Sequence, residues 1–173
     1  MRRVADGVVG GEPFFRVLRE RHPDADLVIL PPIEATPPDQ ALAPVDEVVA
    51  VARAARTALD ELLAAIGQPQ PDARHDGWRA ADSPFVCTYV ARAALRGIPD
   101  GEAVPLLRTI GDTLLAQGWD ARQALDRPAG IVAGDGRHVI EAEVVAGSID
   151  LRLDSRPVVA APGTIEAADE VLR

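Results

Sequence analysis

The chain has three histidines, His22, His75 and His138, and no two of them stand at metal-ligand spacing. His75 and Asp76 are adjacent, as in histidine–aspartate metal pairs, but the further histidines such a centre needs have no source in this sequence. A Cys87–His75–Asp76 set can be drawn as nucleophile, base and orienting carboxylate. However, Cys87 alternates with apolar residues on a candidate strand, which predicts a buried, inert thiol. The serines are Ser83, Ser148 and Ser155, and none lies in a Gly-x-Ser-x-Gly elbow. Every basic residue is an arginine, so no P-loop, Schiff-base or kinase-type lysine exists. Gly7, Gly10 and Gly11 follow no convincing strand, which excludes a dinucleotide loop there.

Carboxylates are more plentiful. Glu141, Glu143, Asp150 and Asp154 share the polar side of one predicted hairpin, and close carboxylates can hold a cation or exchange protons. Arg152 is expected opposite Glu143, with Arg156 diagonal to Glu141, so the reading is a solvated and partly paired sheet face. Glu141 is expected opposite Asp154 as the one like-charge pair, with a raised pKa on one of the two if that side is covered. His138 is expected at the margin of the apolar face as a hydrogen-bonded structural histidine, and His22 at a helix end where its charge suits the dipole. No catalytic residue, metal or cofactor is assigned. The candidate binding residues are Trp78, His75 and Asp76, in a polar stretch over 68–84 that reads as a loop.

Bulk properties narrow the function classes further. A chain of 173 residues is one domain, or a domain with an appended segment. Aromatic residues make up only 3%, so the core must be built from Ala, Val, Leu and Ile. A net charge of −9 argues against nucleic acid as a partner and suits a basic protein instead. Cys87 is the only cysteine, which rules out an intrachain disulfide. The start, MRRVADGVVGGEPF, has no apolar h-region, and no run of 18 apolar residues follows. The expectation is a cytoplasmic protein without a membrane span, or an extracytoplasmic one if a leader has been removed.

These residues need elements to position them. Val45, Val48, Val49, Ala52, Ala55, Leu59, Leu62, Leu63 and Ile66 form one stripe of a helix over 45–66, with Arg53, Arg56 and Asp60 off it. Gly67 ends this helix and Pro69 prevents its return. The stripe packs on the chain's own sheet or on a second chain. A second helix over 102–117 follows from Leu106, Leu107, Ile110 and Leu114, with Asp100 or Gly101 as cap and Gly118-Trp119 as a Schellman ending. Strands are expected over 86–96, 130–133, 137–146 and 149–159. The first of these also reads as a helix capped by Ser83; strand is preferred because three strands would make a thin floor for two helices.

Asp135-Gly136 suits a two-residue turn that sets Ile131 opposite Ile140 and Ala133 opposite His138. Gly147-Ser148 suits another, setting Val144 opposite Leu151. Thr164 caps a last short helix over 165–172. Ahead of the main domain, over 44–173, lie a helix over 13–22, a strand over 27–30 and a proline-rich arm; residues 1–43 form this separate segment. The expected fold class is α+β: an antiparallel sheet in β-α-β-β-β order, covered on one face by the helices over 45–66 and 102–117.

Trp78, Cys87, Tyr89, the run GIPDGEAVPLLRTIGDTLLAQGWD and the strands ending in LRLDSRP resemble small α+β proteins of actinobacteria. Many of those are predicted secreted proteins or lipoproteins of unknown function. The resemblance spans about residues 78–159 and implies the fold, but no catalytic residues. Two departures bear on location: no lipidation cysteine stands near the start, and Ser155 lies about where a second cysteine is expected.

The functional expectation is a non-catalytic protein-interaction module, forming a homodimer or binding a basic protein partner. The alternative is a small enzyme or small-molecule carrier with a pocket beside the Trp78 stretch.

Overall fold

In the computed structural model, which describes residues 17, 20–22, 36–99, 101–126 and 129–173, the stripe that begins at Val45 forms helix α1 (Val45–Ala65). Strand β1 (Ala73–Ala80) and strand β2 (Val86–Leu95) follow as a hairpin, then helix α2 (Ala103–Ala116). A meander comes next: β3 (Asp120–Gln123), β4 (Gly130–Gly134), β5 (His138–Val145), β6 (Ser148–Ser155) and the short β7 (Val158–Val159). Helix α3 (Pro162–Leu172) follows β7. The strands form one antiparallel sheet in the order β1-β2-β6-β5-β4-β3, with β7 also beside β2. The fold is therefore α+β, and the segment that also read as a helix is strand β2 over Val86–Leu95. No helix among the described residues is long and apolar enough to cross a membrane.

The helices gather on one face because only that face is apolar. Cys87, Tyr89, Ala91, Ala93 and Leu95 of β2 alternate inward and are all buried. Ile140 and Ala142 of β5 and Ile149, Leu151 and Leu153 of β6 continue the same surface. Leu59, Leu62 and Leu63 of α1 and Ile110 and Leu114 of α2 fill it from above. Alanines 52, 55, 91, 93, 133 and 142 in this layer let helix and sheet approach closely. Gly111 does the same for α2, since a methyl there would come within 3.0 Å of Ile131 Cδ1. The stripe of α1 is thus largely taken up by the chain's own core.

Helix endings follow the sequence closely. Gly118 is left-handed (φ 86°), Trp119 N–H bonds Leu114 O at 2.9 Å and Gly118 N–H bonds Leu115 O at 3.0 Å, a Schellman closure of α2. Gly67 (φ 74°) ends α1 in the same way, with Gln68 N–H on Leu63 O. The helix starts differ from expectation. Glu102 is the N-cap of α2 and caps with no side-chain bond, while Asp100 lies outside the described residues. Helix α3 begins at Pro162, with Ala161 as N-cap, so Thr164 sits inside it and not before it.

Four corrections concern the sheet. First, part of the stretch read as a loop over 68–84 is strand β1, which pairs with β2 along its whole length. Its sequence, ARHDGWRA, shows no apolar alternation because polar residues occupy both of its sides. Second, β3 adds an edge strand. Third, both hairpins are shifted by two residues from the expected register. Ala133 lies opposite Ile140, and Val144 lies opposite Ile149. A shift of two preserves the side of the sheet each residue faces, so period-two patterning cannot detect it. The loops decide. Residues 135–138 form the first, where Asp135 Oδ1 accepts the N–H groups of Arg137 (2.7 Å) and His138 (2.6 Å). Ala146 (φ 48°) and Gly147 (φ 76°) form the second, both left-handed as in a type I′ turn. Consequently Glu143 faces Asp150 as the like-charge pair, and Glu141 faces Arg152.

Fourth, the strand expected over 149–159 is interrupted. Val90 pairs with Asp154 but Cys87 with Val158, so the outgoing strand carries one extra residue. Pro157 lacks an N–H, and the Ser155 hydroxyl fills the gap: it accepts Tyr89 N–H at 3.0 Å and donates to Arg156 O at 2.9 Å.

Thr36–Arg173 forms one compact unit, so the end of the proline arm belongs to the main body rather than to the segment over 1–43. Ala43 N–H bonds Val159 O at 2.7 Å. The helix expected over 13–22 and the strand over 27–30 fall largely outside the described residues; Val17, Glu20 and Arg21 are helical.

Ala146 holds a backbone conformation that costs an L-residue about 1 kcal/mol and an asparagine less. Ala146→Asn is expected to raise the denaturant midpoint by the equivalent of about 0.5–1 kcal/mol with an unchanged slope. An unchanged or lower midpoint would contradict the turn.

Candidate functional site

Strand β1 divides the three residues singled out in the sequence. Asp76 and Trp78 lie opposite Ala91 and Tyr89 on the helix-covered side, whereas His75 lies opposite Arg92 on the other. The structure therefore brings Asp76 and Trp78 together and separates His75 from both.

On the covered side the centre is Tyr89, fully buried. Its hydroxyl accepts Arg56 Nε at 2.7 Å, and the same Nε reaches Asp76 Oδ2 at 2.6 Å. Arg56 also donates to Asp76 Oδ1 (3.3 Å) and to Leu172 O (3.0 Å), so one guanidinium ties α1, β1, β2 and α3. Its carbon lies 5.6 Å from the centre of the Tyr89 ring. The other edge of that ring meets Trp78, centroids 5.2 Å apart at 72°. Trp78 packs against the core here, and its buried indole N–H has no acceptor among the described residues.

Charge states in this cluster are fixed. Burial, reinforced by the Asp76 carboxylate, pushes the Tyr89 hydroxyl up to about 12. Burial also works against Asp76 as an anion, but hydrogen bonds from Arg56 and Tyr89 outweigh it and hold the carboxyl below its usual range. Burial likewise opposes the Arg56 cation, and the Asp76 hydrogen bond overcomes it. None of the three exchanges a proton near neutrality, so the cluster is a clamp and not an acid–base device.

The remaining chemical candidates are structural as well. Cys87 is buried, its thiol pushed up by burial, and its Sγ rests 3.9 Å from Pro84 O. His138 is buried, with Nδ1 3.0 Å from Asp135 Oδ2 and its ring stacked 6.2 Å from Trp119. The Asp135 carboxyl sits in a partly buried turn that disfavours its charge. The His138 and Arg137 bonds more than compensate and keep it below its usual range. Among the described residues no three of His, Cys, Asp and Glu converge as a metal site.

The uncovered side is different. None of the three helices among the described residues lies on it, and its strands carry a row of charge: His75 on β1, Arg92 on β2, Arg152 on β6 and Glu141 on β5 are successive cross-strand neighbours. Beside this row runs a second: Ala73, Ala94, Asp150 and Glu143. The small side chains of Ala73 and Ala94 leave a recess of about 430 Å³, rimmed by His75, Arg92, Glu141, Glu143, Asp150 and Arg152.

Two like-charge pairs face each other across strands there, Arg92 with Arg152 and Glu143 with Asp150. Directly opposed like charges destabilise a sheet. Arg152 is relieved by Asp154, which accepts from its Nε at 2.9 Å and its Nη2 at 2.7 Å. Arg92 is exposed and bonds no described residue.

Sequence reasoning missed both arginines. Arg56 follows Ala52 by four and precedes Leu59 by three, at the margin of the stripe, and that spacing was the available signal. Arg92 gave none, because its significance depends on strand order. No family model, curated protein or solved structure matches the chain.

Removing the Asp76 charge tests the clamp. Its lowered pKa means its stabilisation is complete above the ordinary carboxylate range, near 4, and fades as pH falls through the folded value. Asp76→Asn is expected to cost about 1–2 kcal/mol at neutral pH. It should also flatten the acid limb of stability measured by urea melts. An acid limb identical to that of the parent would contradict the assignment.

Proposed function

We propose that this protein is a non-catalytic interaction module whose working surface is the side of the sheet that carries His75, Arg92 and Arg152. The observation that carries this reading is the rim of the recess. Arg92 faces Arg152 and Glu143 faces Asp150 across its strands, and Arg92 bonds no other described residue.

The chemistry suits a protein or peptide that presents both signs of charge. A carboxylate of the partner meets the Arg92 fork, with His75 beside it. A basic group of the partner meets Asp150, one row away. The overall charge of −9 favours approach of a partner that is basic on the whole, while Arg92 fixes its orientation. The catalytic alternative beside Trp78 has less support, since that indole is packed on Tyr89 and the recess lies on the opposite side of the sheet.

A blocked Glu–Lys dipeptide, followed by amide chemical shifts, provides the test. Shifts are expected at His75, Arg92, Ala94 and Leu151, and are expected to vanish in Arg92→Ala while its melting temperature holds or rises, since one of two opposed like charges is removed. Shifts confined to other parts of the chain, or persisting in that variant, would overturn the reading.

A further inference from the structure

A second surface, independent of the recess, lies at the β3 edge of the sheet. Strand β3 has β4 on one side and no described strand on the other. Its phase is set by the bond from Ala124 N–H to Gly130 O at 2.9 Å, which continues the β3–β4 register. Alternation then turns the backbone groups of Asp120 and Arg122 toward β4, and the N–H and C=O of Ala121 toward the open edge.

Side chains along this edge are self-complementary. Asp120 and Arg122 are both exposed, flank Ala121, and share one side of the sheet. If a second copy lays its own β3 antiparallel with Ala121 facing Ala121, the two residues exchange both N–H···O bonds. The same register sets Asp120 opposite the partner's Arg122, and Arg122 opposite the partner's Asp120. A single strand that satisfies itself about a two-fold axis in this way is the requirement of an isologous interface.

Exposed apolar side chains also lie here. A groove of about 520 Å³ runs between α2 and the β3–β4 pair, and Val104 and Leu115 of α2 line it beside Ala121. They are 45% and 54% exposed, and Leu125, just beyond β3, is fully exposed. An edge strand next to uncovered apolar side chains is the arrangement natural proteins otherwise blunt.

The geometry points to a two-fold homodimer formed by antiparallel pairing of β3 with β3 of a second copy, which joins the two sheets into one. The side chains on the helix side of this edge, Val104 and Leu115 among them, lose solvent on assembly.

Charge reversal tests it, using the full chain and sedimentation equilibrium over a concentration series. The parent protein is expected to dimerise. Asp120→Arg and Arg122→Asp alone each convert both cross-strand pairs to like charge and are expected to weaken the dimer by about tenfold or more. The double variant Asp120→Arg/Arg122→Asp restores both pairs and is expected to recover the parent's affinity. Ala121→Pro removes only the outward N–H, leaves the β4 ladder in place, and is expected to be monomeric. Circular dichroism and melting temperature confirm that each variant is folded. A parent that stays monomeric to its highest soluble concentration overturns the proposal. So does a dimer indifferent to the single reversals, or one that the double reversal fails to restore.

Discussion

A hydroxyl in the middle of an aliphatic layer imposes more on this chain than any other single group. Tyr89 is the chain's one tyrosine, and it is fully buried in a core cluster made mostly of leucine, isoleucine and alanine, with Trp78 at its ring. A buried hydroxyl without a partner costs on the order of 1–3 kcal/mol. Arg56 and Asp76 supply the partners, and their need for one another spreads the constraint. Asp76 must face the helices, which makes the inner side of β1 polar. Arg56 must reach across from α1, and its remaining donor captures the last turn of α3. On the other side, Tyr89 N–H is met by the Ser155 hydroxyl at the bulge between β6 and β7. Parts of the chain more than a hundred residues apart thus answer to one side chain.

The same arrangement explains where the sequence was readable. Long stripes and left-handed glycines survive folding unchanged, so α1, α2 and their Schellman endings agree with their signatures at Gly67 and Gly118. Inward alternation along β2, β5 and β6 correctly assigned faces, because burial depends only on parity. Register depends on the loops, and these hinge on groups that patterning ignores: the Asp135 carboxylate in one, a left-handed alanine in the other. Strand β1 was hidden because its inward residues serve the polar cluster instead of the apolar layer. In β1 the local pattern gave way to a tertiary partner distant in sequence.

Legibility of the candidate surface was lower still. His75, Arg92 and Arg152 come from three strands, and only the order β1-β2-β6 makes them neighbours. Nothing in the spacing of 75, 92 and 152 announces that. The hairpin carboxylates were visible as a group, but the two-residue shift exchanged their partners and moved the like-charge contact from Glu141–Asp154 to Glu143–Asp150. His75, Asp76 and Trp78 are close in sequence and split by the pleat, which shows how adjacency along a strand opposes adjacency in space.

The pairing of β2 with β6 has a consequence for biogenesis. Every other long ladder joins strands that follow one another, but this one joins Val86–Leu95 to Ser148–Ser155. As the polypeptide leaves the ribosome, the β1–β2 hairpin is complete long before its neighbour has been made. Until Ile149 and Leu151 emerge, the flank of Ala91, Ala93 and Leu95 stays open, a sticky margin awaiting closure from the far end. Assembly of the whole sheet therefore waits for β6, and the interval before it is when the chain is most exposed to wrong partners.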